Sequence, residues 1–318
     1  VELQYPGFSI SMSLPFRSQL YLLAFGWALA LLCGQTSLPQ PWQWGFFILT
    51  IVGLGIPHGA LDFIVAQHNA RNNQHVRFSL NRFLFFYLGQ SILFLLLWIW
   101  PPIALTLFLV FSALHFGETD LQEFKLHTFG KTLAVFLYGT STFVLLLLGH
   151  HTELIGYIPE IGNFIQRYDL LGWAIEHFDA IYRSTLFSSL LLLLIFSKKD
   201  EMLFFRIMVL VLVQYLVANL PFLIGFAFYF GLWHSTLSIQ AIRQEAQFST
   251  LQYMRKYITP QTILFAGLAF VILVGLYFLI DRYYDYSNGL FIFFVGLSIL
   301  AIPHMQVMHG FFSRTRRS

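Results

Sequence analysis

Four histidines lie inside strongly apolar stretches of the sequence, where ionisable side chains are rare. They are His58, His115, His234 and His304. A polar or ionisable group in hydrocarbon is costly and usually marks a functional site. Imidazole nitrogen is a ligand for iron, zinc and copper. The four residues therefore predict a metal centre, although their spacing does not choose among these metals.

Carboxylates and aromatic side chains accompany these histidines. Asp62 lies one helical turn after His58, and Glu118 and Asp120 follow His115 closely. Such a carboxylate can accept a hydrogen bond from a ligand imidazole and fix its orientation, although Glu118 and Asp120 would equally mark a helix end. Nearby apolar side chains would suit a long apolar substrate, but they are also typical of any Phe-rich bundle. The predicted substrate tunnel consists of Phe63, Phe111, Tyr229, Trp233 and Met305.

The composition is that of an integral membrane protein. Of 318 residues, 57% are hydrophobic and 10% are charged, whereas a soluble domain has about 25% charged residues. The single cysteine, Cys33, excludes an intrachain disulfide and a cysteine-based metal site. The net charge of +3 is small and the basic residues are not clustered, so nucleic acid is not an expected partner.

About ten apolar runs are long enough to cross roughly 30 Å of hydrocarbon. We therefore predict an all-α fold: a polytopic integral membrane helical bundle of about ten transmembrane helices. It would form a single domain over residues 18–318, after a tail at residues 1–17 without a cleavable signal sequence. The predicted spans are Ser18–Cys33, Trp42–Gln67, Arg82–Trp100, Pro102–Gly117, Gly130–Gly149, Tyr182–Ser197, Met202–Asn219, Pro221–Gln240, Thr262–Ile280 and Leu290–Phe312.

The basic residues predict the orientation of these spans. With ten spans and a cytoplasmic N-terminus, fifteen lysines and arginines lie inside and three outside, the asymmetry that the positive-inside rule describes. Both termini are thus predicted to be cytoplasmic, with the protein in the plasma or inner membrane. The outer connection near residues 150–181 has apolar residues at helical spacing, which fits interfacial helices and an ordinary packed loop equally well.

The predicted topology gives the four histidines a common depth. Their spans cross in the same direction, and each histidine lies about 7–14 Å from the cytoplasmic end of its helix. One such histidine alone would be explained better by a hydrogen bond between membrane helices. Four independent structural histidines have no reason to share a depth, whereas a common metal supplies one.

Four short segments contain these histidines: Pro-His-Gly-Ala-Leu-Asp at 57–62, His-Phe-Gly-Glu-Thr-Asp at 115–120, Gly-Leu-Trp-His-Ser at 231–235 and Ile-Pro-His-Met at 302–305. They resemble the Brp/Blh family of membrane β-carotene 15,15′-dioxygenases, which are linked to microbial rhodopsins. The resemblance covers the chain from about the second span to the tenth. It implies cleavage of the central double bond of β-carotene by O2 to give two retinals, with Fe(II) as the cofactor.

The resemblance also implies ligands and partners. His58, His115 and His234 match the iron ligands of the family, whose further histidine, one turn after the Trp-His-Ser motif, is replaced here by Ser238. His304 is at a suitable depth to replace it, either as a ligand or as a residue lining the tunnel. Asp62 and Glu118 are rivals, because a carboxylate can complete an iron site. The implied partners are β-carotene or a related carotenoid, O2, membrane lipid and a microbial rhodopsin.

Three other functions compete with an iron oxygenase. A non-catalytic protein of the same fold would bind carotenoid or retinal and assist rhodopsin assembly, and the serine at position 238 favours it. A haem-binding protein needs paired histidines on facing helices, which fits four histidines at one depth less well. A proton-coupled transporter needs acidic residues across the bilayer, and the apolar runs do not contain such a chain.

Overall fold

Helices make up nearly all of the structure. The computed structural model describes residues 14–36, 38–71, 78–124, 128–197, 201–245, 259–283 and 289–315. Within those ranges no β-strand occurs. The predicted all-α class is therefore confirmed for these residues.

The described chain contains sixteen α-helices, which we number in order, and three π-helices. The α-helices are α1 Leu14–Thr36, α2 Gln40–Thr50, α3 Ile56–Gly59, α4 Asp62–Arg71, α5 Leu80–Leu97, α6 Pro101–Asp120, α7 Thr128–Phe143, α8 His151–Tyr157, α9 Pro159–Arg167, α10 Asp169–Glu176, α11 Phe178–Phe196, α12 Leu203–Ala218, α13 Phe222–Phe226, α14 Ser235–Glu245, α15 Pro260–Tyr283 and α16 Gly289–Thr315. The π-helices are π1 Ile51–Gly55, π2 Val144–Leu148 and π3 Ala227–His234.

Nine helical stretches of the described chain are long and apolar enough to cross a membrane. Each predicted run falls on a helix, but α12 has only 16 residues and is shorter than the others. The total of ten spans and the cytoplasmic position of both termini stay predictions. So do the limits of the single domain, although α1 already begins at Leu14, within the predicted tail.

Proline residues begin several helices and distort others. Pro101 and Pro102 occupy the first turn of α6, where the missing N–H costs no hydrogen bond. Pro57 and Pro303 instead lie inside membrane-spanning stretches. There each removes a backbone donor and favours a bend.

The stretch formed by α13, π3 and α14 is the central helix of the bundle. Of its most apolar window, 78% is buried, against 6% for α15. Its side chains join the largest hydrophobic core, to which α1, α2, α12 and α16 also contribute. A site carried on this helix is consequently shielded by neighbouring helices.

Two glycine contacts bring α6 and α7 close together. A Cβ at Gly117 would overlap the Val135 carbonyl, and one at Gly139 would overlap the Ala113 carbonyl. Small residues allow this approach between membrane helices. These two contacts with α7 fix the position of the half of α6 that contains His115.

The connection near residues 150–181 contains the short helices α8, α9 and α10. His150 is buried, and its two ring nitrogens lie 3.2 Å from the Leu145 carbonyl and 3.0 Å from the Leu220 carbonyl. The Glu153 carboxylate accepts a hydrogen bond from the Phe222 N–H at 2.8 Å. These contacts attach the connection to the start of α13. The interfacial location of its helices stays a prediction.

Candidate metal centre

The second membrane stretch changes its helical geometry just before His58. Helix α2 passes into π1, then into the single turn α3 with Pro57, and α4 begins after a turn at Ala60 and Leu61. Short π-helical segments occur frequently at functional sites. This irregular backbone directs the His58 ring into the bundle, where its side chain is buried.

The two nitrogens of His58 have different surroundings. Nδ1 approaches the Gly55 carbonyl closely and lies 3.1 Å from Oγ of Ser235. Since the Ser235 hydroxyl donates to the Phe230 carbonyl, it is free to accept the Nδ1–H. Nε2 is buried and has no hydrogen-bond partner in the described structure, so its lone pair is available to a metal.

His115 lies in the second half of α6, where the chain is buried from Ser112 to Asp120 except at Leu114. Both of its ring nitrogens are buried and lack a hydrogen-bond partner among the described residues. Either nitrogen can therefore act as a ligand.

His234 is the last residue of π3 and is 1% exposed. Its Nδ1 is buried without a hydrogen-bond partner in the described ranges, whereas its Nε2 lies 3.5 Å from Oγ of Ser238. Ser238 occupies the position at which the family that the sequence resembles has a histidine. A hydroxyl group therefore lies beside the His234 ring there. Phe116 lies against the same ring, with 4.2 Å between centroids.

His304 follows Pro303 inside α16 and is buried. Its Nδ1 lies 2.7 Å from Oδ1 of Asp62. Its Nε2 is buried and is also without a hydrogen-bond partner in the part of the chain that is described. The carboxylate thus favours a proton on Nδ1 and leaves the Nε2 lone pair free.

The four imidazole rings form a closed cluster, which we call the histidine cluster. Neighbouring ring centroids are 5.0 Å apart for His58 and His304, 4.9 Å for His304 and His115, 4.8 Å for His115 and His234, and 5.3 Å for His234 and His58. Possible ligand nitrogens of His58, His234 and His304 all lie within 4.8 Å of one another. The cluster brings together residues from four membrane-spanning stretches.

The unpartnered nitrogens fit a metal ion. A buried polar atom without a hydrogen bond costs about 1–3 kcal/mol, and such atoms are rare in native structures. Here each of four adjacent rings has at least one. A cation bound to the lone pairs of His58, His234 and His304, whose possible ligand nitrogens lie within 4.8 Å of one another, would remove the cost at these three residues together.

The predicted carboxylates have different partners. Asp62 is close to His58 in sequence, but its two oxygens bind His304 and the hydroxyl of Tyr87, the latter at 2.9 Å. Glu118 lies 3.0 Å from Nδ1 of His309. Asp62 therefore supports the histidine cluster directly, whereas the Glu118 contact shown here joins α6 to the end of α16.

Asp120 is a third buried carboxylate near the histidine cluster. It accepts hydrogen bonds from the Tyr229 hydroxyl at 2.8 Å and from Nε1 of Trp233 at 3.1 Å. Both donors lie in π3, just before His234. Asp120 thus joins the end of α6 to the irregular segment that carries this histidine.

The predicted tunnel residues occupy different surroundings. Tyr229 and Trp233 are buried and donate hydrogen bonds to Asp120. Met305, which follows His304 in the sequence, is also buried. Phe63 packs in an aromatic group with rings of α5 and α15, whereas Phe111 is 45% exposed on α6. Their role in a tunnel stays a prediction. Tyr87, the partner of Asp62, was not predicted, since its sequence neighbours contain no other polar group typical of a site.

One comparison with known proteins gives a match. The sequence model of the family described as beta-carotene 15,15′-dioxygenase matches residues 49–312, a range that includes all four members of the histidine cluster. No curated protein and no solved structure matches the chain significantly.

Proposed function

Because the chain belongs to the beta-carotene 15,15′-dioxygenase family, we propose that it cleaves the central double bond of β-carotene or a related carotenoid. Both atoms of O2 would be incorporated, one into each of two retinal molecules. The cofactor would be Fe(II), held by His58, His115, His234 and His304. The observation that carries the proposal is the cluster of buried rings with unpartnered nitrogens.

The donor set suits such an ion. Neutral imidazoles bind iron as well as zinc and copper, and the family reaction with O2 favours iron among these. Nε2 of His58, Nδ1 of His234 and Nε2 of His304 would be ligand atoms, together with either nitrogen of His115. When bound, the iron would supply the position at which O2 is activated.

The surrounding residues would hold the rings in place. Asp62 keeps a proton on Nδ1 of His304, and the Gly55 carbonyl and Ser235 hydroxyl do the same for Nδ1 of His58. Hydrogen bonds of this kind, from neighbouring residues to the ligand imidazoles, orient the ligand rings. The rings of Phe116 and Phe230 pack against His234 and would keep water away from its ring.

The membrane would be both the source of substrate and the destination of product. A carotenoid has an apolar polyene chain and partitions into lipid, so we expect lateral exchange with the bilayer. A microbial rhodopsin in the same plasma or inner membrane is the expected recipient of retinal. The family resemblance supports this partner.

A second candidate function is non-catalytic binding of carotenoid or retinal. The observation that favours it is Ser238, at a position where the resembling family has a histidine. Loss of one ligand would leave an apolar, membrane-embedded protein that still holds a polyene.

Expression in cells that make β-carotene separates the two functions. We expect retinal to accumulate and β-carotene to fall, with iron present in the purified protein. The double variant His58→Ala/His234→Ala is the matched control and should leave β-carotene intact. Folded, iron-loaded protein without retinal would instead support the binding function.

The contact between Asp62 and His304 gives a further prediction. We expect Asp62→Asn to weaken metal binding, because the amide cannot hold the imidazole proton as a carboxylate does. The expected loss of affinity is about ten- to a hundredfold, the range typical for residues that hydrogen-bond to metal ligands. The measurement is metal affinity of the purified variant. Tyr87→Phe, which removes the hydroxyl from the other carboxylate oxygen, should have a smaller effect. Parental affinity in Asp62→Asn would leave Asp62 with a packing role only.

A further inference from the structure

The buried carboxylate of Asp120 holds two side chains of π3, the segment that ends with His234. Its Oδ2 accepts a hydrogen bond from the Tyr229 hydroxyl at 2.8 Å, and its Oδ1 accepts one from Nε1 of Trp233 at 3.1 Å. All three side chains are no more than 2% exposed. Taking a carboxylate out of water is costly. An apolar side chain would fill the same space without that cost, so the carboxylate indicates a need for directed contacts.

The two donors lie about one helical turn apart, directly before a candidate metal ligand. Tyr229 and Trp233 are four residues apart within π3, and His234 follows Trp233 in the chain. A single hydrogen bond would allow the helix to turn about it. Two hydrogen bonds from successive turns to one carboxylate instead fix the face that the helix presents to Asp120. The direction of the next side chain, that of His234, is fixed with it.

The carboxylate is itself carried by a closely packed part of α6. Gly117, three residues before Asp120, lies so close to α7 that a Cβ would overlap the Val135 carbonyl. The Leu121 N–H donates to the Gly117 carbonyl at 2.9 Å and continues the helical turn past Asp120. The end of α6 is therefore held against α7 and can serve as a fixed point for π3.

An aromatic ring of α6 lies in the same contact between α6 and π3. The Phe116 ring stacks on that of Tyr229 with 5.6 Å between centroids, and it lies 4.2 Å from the His234 ring. The residue before it, His115, has its ring 4.8 Å from that of His234. Two neighbouring members of the histidine cluster thus belong to the contact that Asp120 joins by hydrogen bonds.

We propose that Asp120 is a positioning residue of the metal centre, which sets the direction of the His234 ring through its hydrogen bonds to Tyr229 and Trp233. Since each of its oxygens is bonded to a side chain of π3, Asp120 acts through that segment rather than as a ligand. Tyr229 and Trp233 then hold the helix that carries the ligand instead of lining a tunnel. The proposal rests on the histidine cluster as a metal site, but not on the reaction that the metal would support.

Three substitutions test the proposal. Asp120→Leu fills the space but accepts no hydrogen bond, which leaves the Trp233 N–H, a group that can only donate, without its acceptor. Asp120→Asn is the conservative variant, because the amide oxygen can accept from Trp233 while its NH2 group donates to the Tyr229 oxygen. Tyr229→Phe removes one of the two hydrogen bonds and keeps the ring that stacks on Phe116.

Ser298→Ala is the matched control for these substitutions. Ser298 is buried and accepts a hydrogen bond from the indole of Trp98 at 2.9 Å, a contact that joins α16 to the end of α5. The variant therefore also removes an indole hydrogen bond between membrane helices, but at a place outside π3. An effect on the metal centre as large as that of Asp120→Leu would mean that any loosening of the bundle reaches the cluster, and would overturn the specific role of Asp120.

Cobalt is the probe, added to purified full-length protein from which metal has been removed with a chelator. Imidazole binds Co(II), and its visible absorption reports the number and arrangement of its ligands. For Asp120→Leu we expect cobalt affinity to fall by about tenfold, the lower end of the range for residues that support metal ligands, together with altered absorption bands. Asp120→Asn should restore both properties, Tyr229→Phe should give an intermediate result, and Ser298→Ala should match the parent.

The possible failures give different results. Parental cobalt affinity and absorption in Asp120→Leu, with only a lower thermal midpoint, would overturn the positioning role and leave Asp120 to helix packing. If Asp120→Leu does not fold, parental absorption in Tyr229→Phe overturns it. A parent that binds no cobalt would refute the metal centre and the positioning role together. A parent that binds cobalt but forms no retinal when loaded with iron would refute only the proposed reaction, and the cobalt spectra would still decide the role of Asp120.

Discussion

Replacing His304 with alanine is expected to lower the amount of bound metal as much as replacing His58. Its ring lies next to two others of the histidine cluster, and its Nε2 is buried and unpartnered in the described structure. Ser238 is a weak substitute for a ligand, because a neutral hydroxyl is hard to deprotonate and here lies beside Nε2 of His234. A four-nitrogen site in this chain therefore needs His304.

The experiment compares metal content in purified His304→Ala, His58→Ala and His309→Ala. His309 is the matched control, since it lies on the same helix but bonds to Glu118 and has a largely exposed side chain. We expect parental metal in His309→Ala and a similar, severe loss in the other two. Full metal occupancy in His304→Ala, with only the turnover rate changed, would make His304 a residue that lines the substrate path.

A single added methyl group at Gly139 is expected to destabilise the bundle strongly. The Cβ of an alanine there would overlap the Ala113 carbonyl of α6. Backbone atoms cannot turn aside as a flexible side chain does, so the two helices must separate. Overpacking of a well-packed core typically costs about 1–3 kcal/mol and sometimes more. Because Ala113 is two residues from His115, metal retention should fall as well.

Gly89→Ala is the control for this substitution. Gly89 also lies within a membrane helix, but a Cβ at that position would meet nothing within 4 Å. Alanine is otherwise the better helix former by roughly 1 kcal/mol. We expect a lower thermal midpoint for Gly139→Ala and an equal or higher one for Gly89→Ala. Equal midpoints in both variants would mean that α6 and α7 move apart at little cost.

Sequence reasoning could place the four histidines close together because depth in a membrane helix follows from residue count. A rise of 1.5 Å per residue converts position along each apolar run into distance from its end. The structure brings the rings of His58, His115, His234 and His304 within about 5 Å of their neighbours. Their roles as metal ligands stay predictions.

The partners of the carboxylates could not be predicted in this way. Asp62 and His304 are 242 positions apart in the chain, and their contact depends on how the helices rotate about their own axes. The spacing of Asp62 and His58 indicated a shared helix face only if that helix were regular, but a turn at Ala60 and Leu61 lies between them. Similarly, the ring of His150 lies between the carbonyl oxygens of Leu145 and Leu220, and its contact with Leu220 joins segments 70 positions apart in the chain.

The wide helical turns of π1 and π3 have a consequence for how this chain can vary in length. A π-helix accommodates an extra residue within an otherwise α-helical stretch, and each α-helical residue turns the chain by 100° (3.6 per turn). Removing one residue between Ala227 and Leu232 would let π3 close to α-helix while α13 kept its packing. The residues after the gap would then keep their orientation, and His234 would still face the other three rings, whereas a one-residue gap in an α-helical part of this stretch would turn the residues after it by about 100°. In related chains, single-residue gaps within π3 should therefore be compatible with the metal centre.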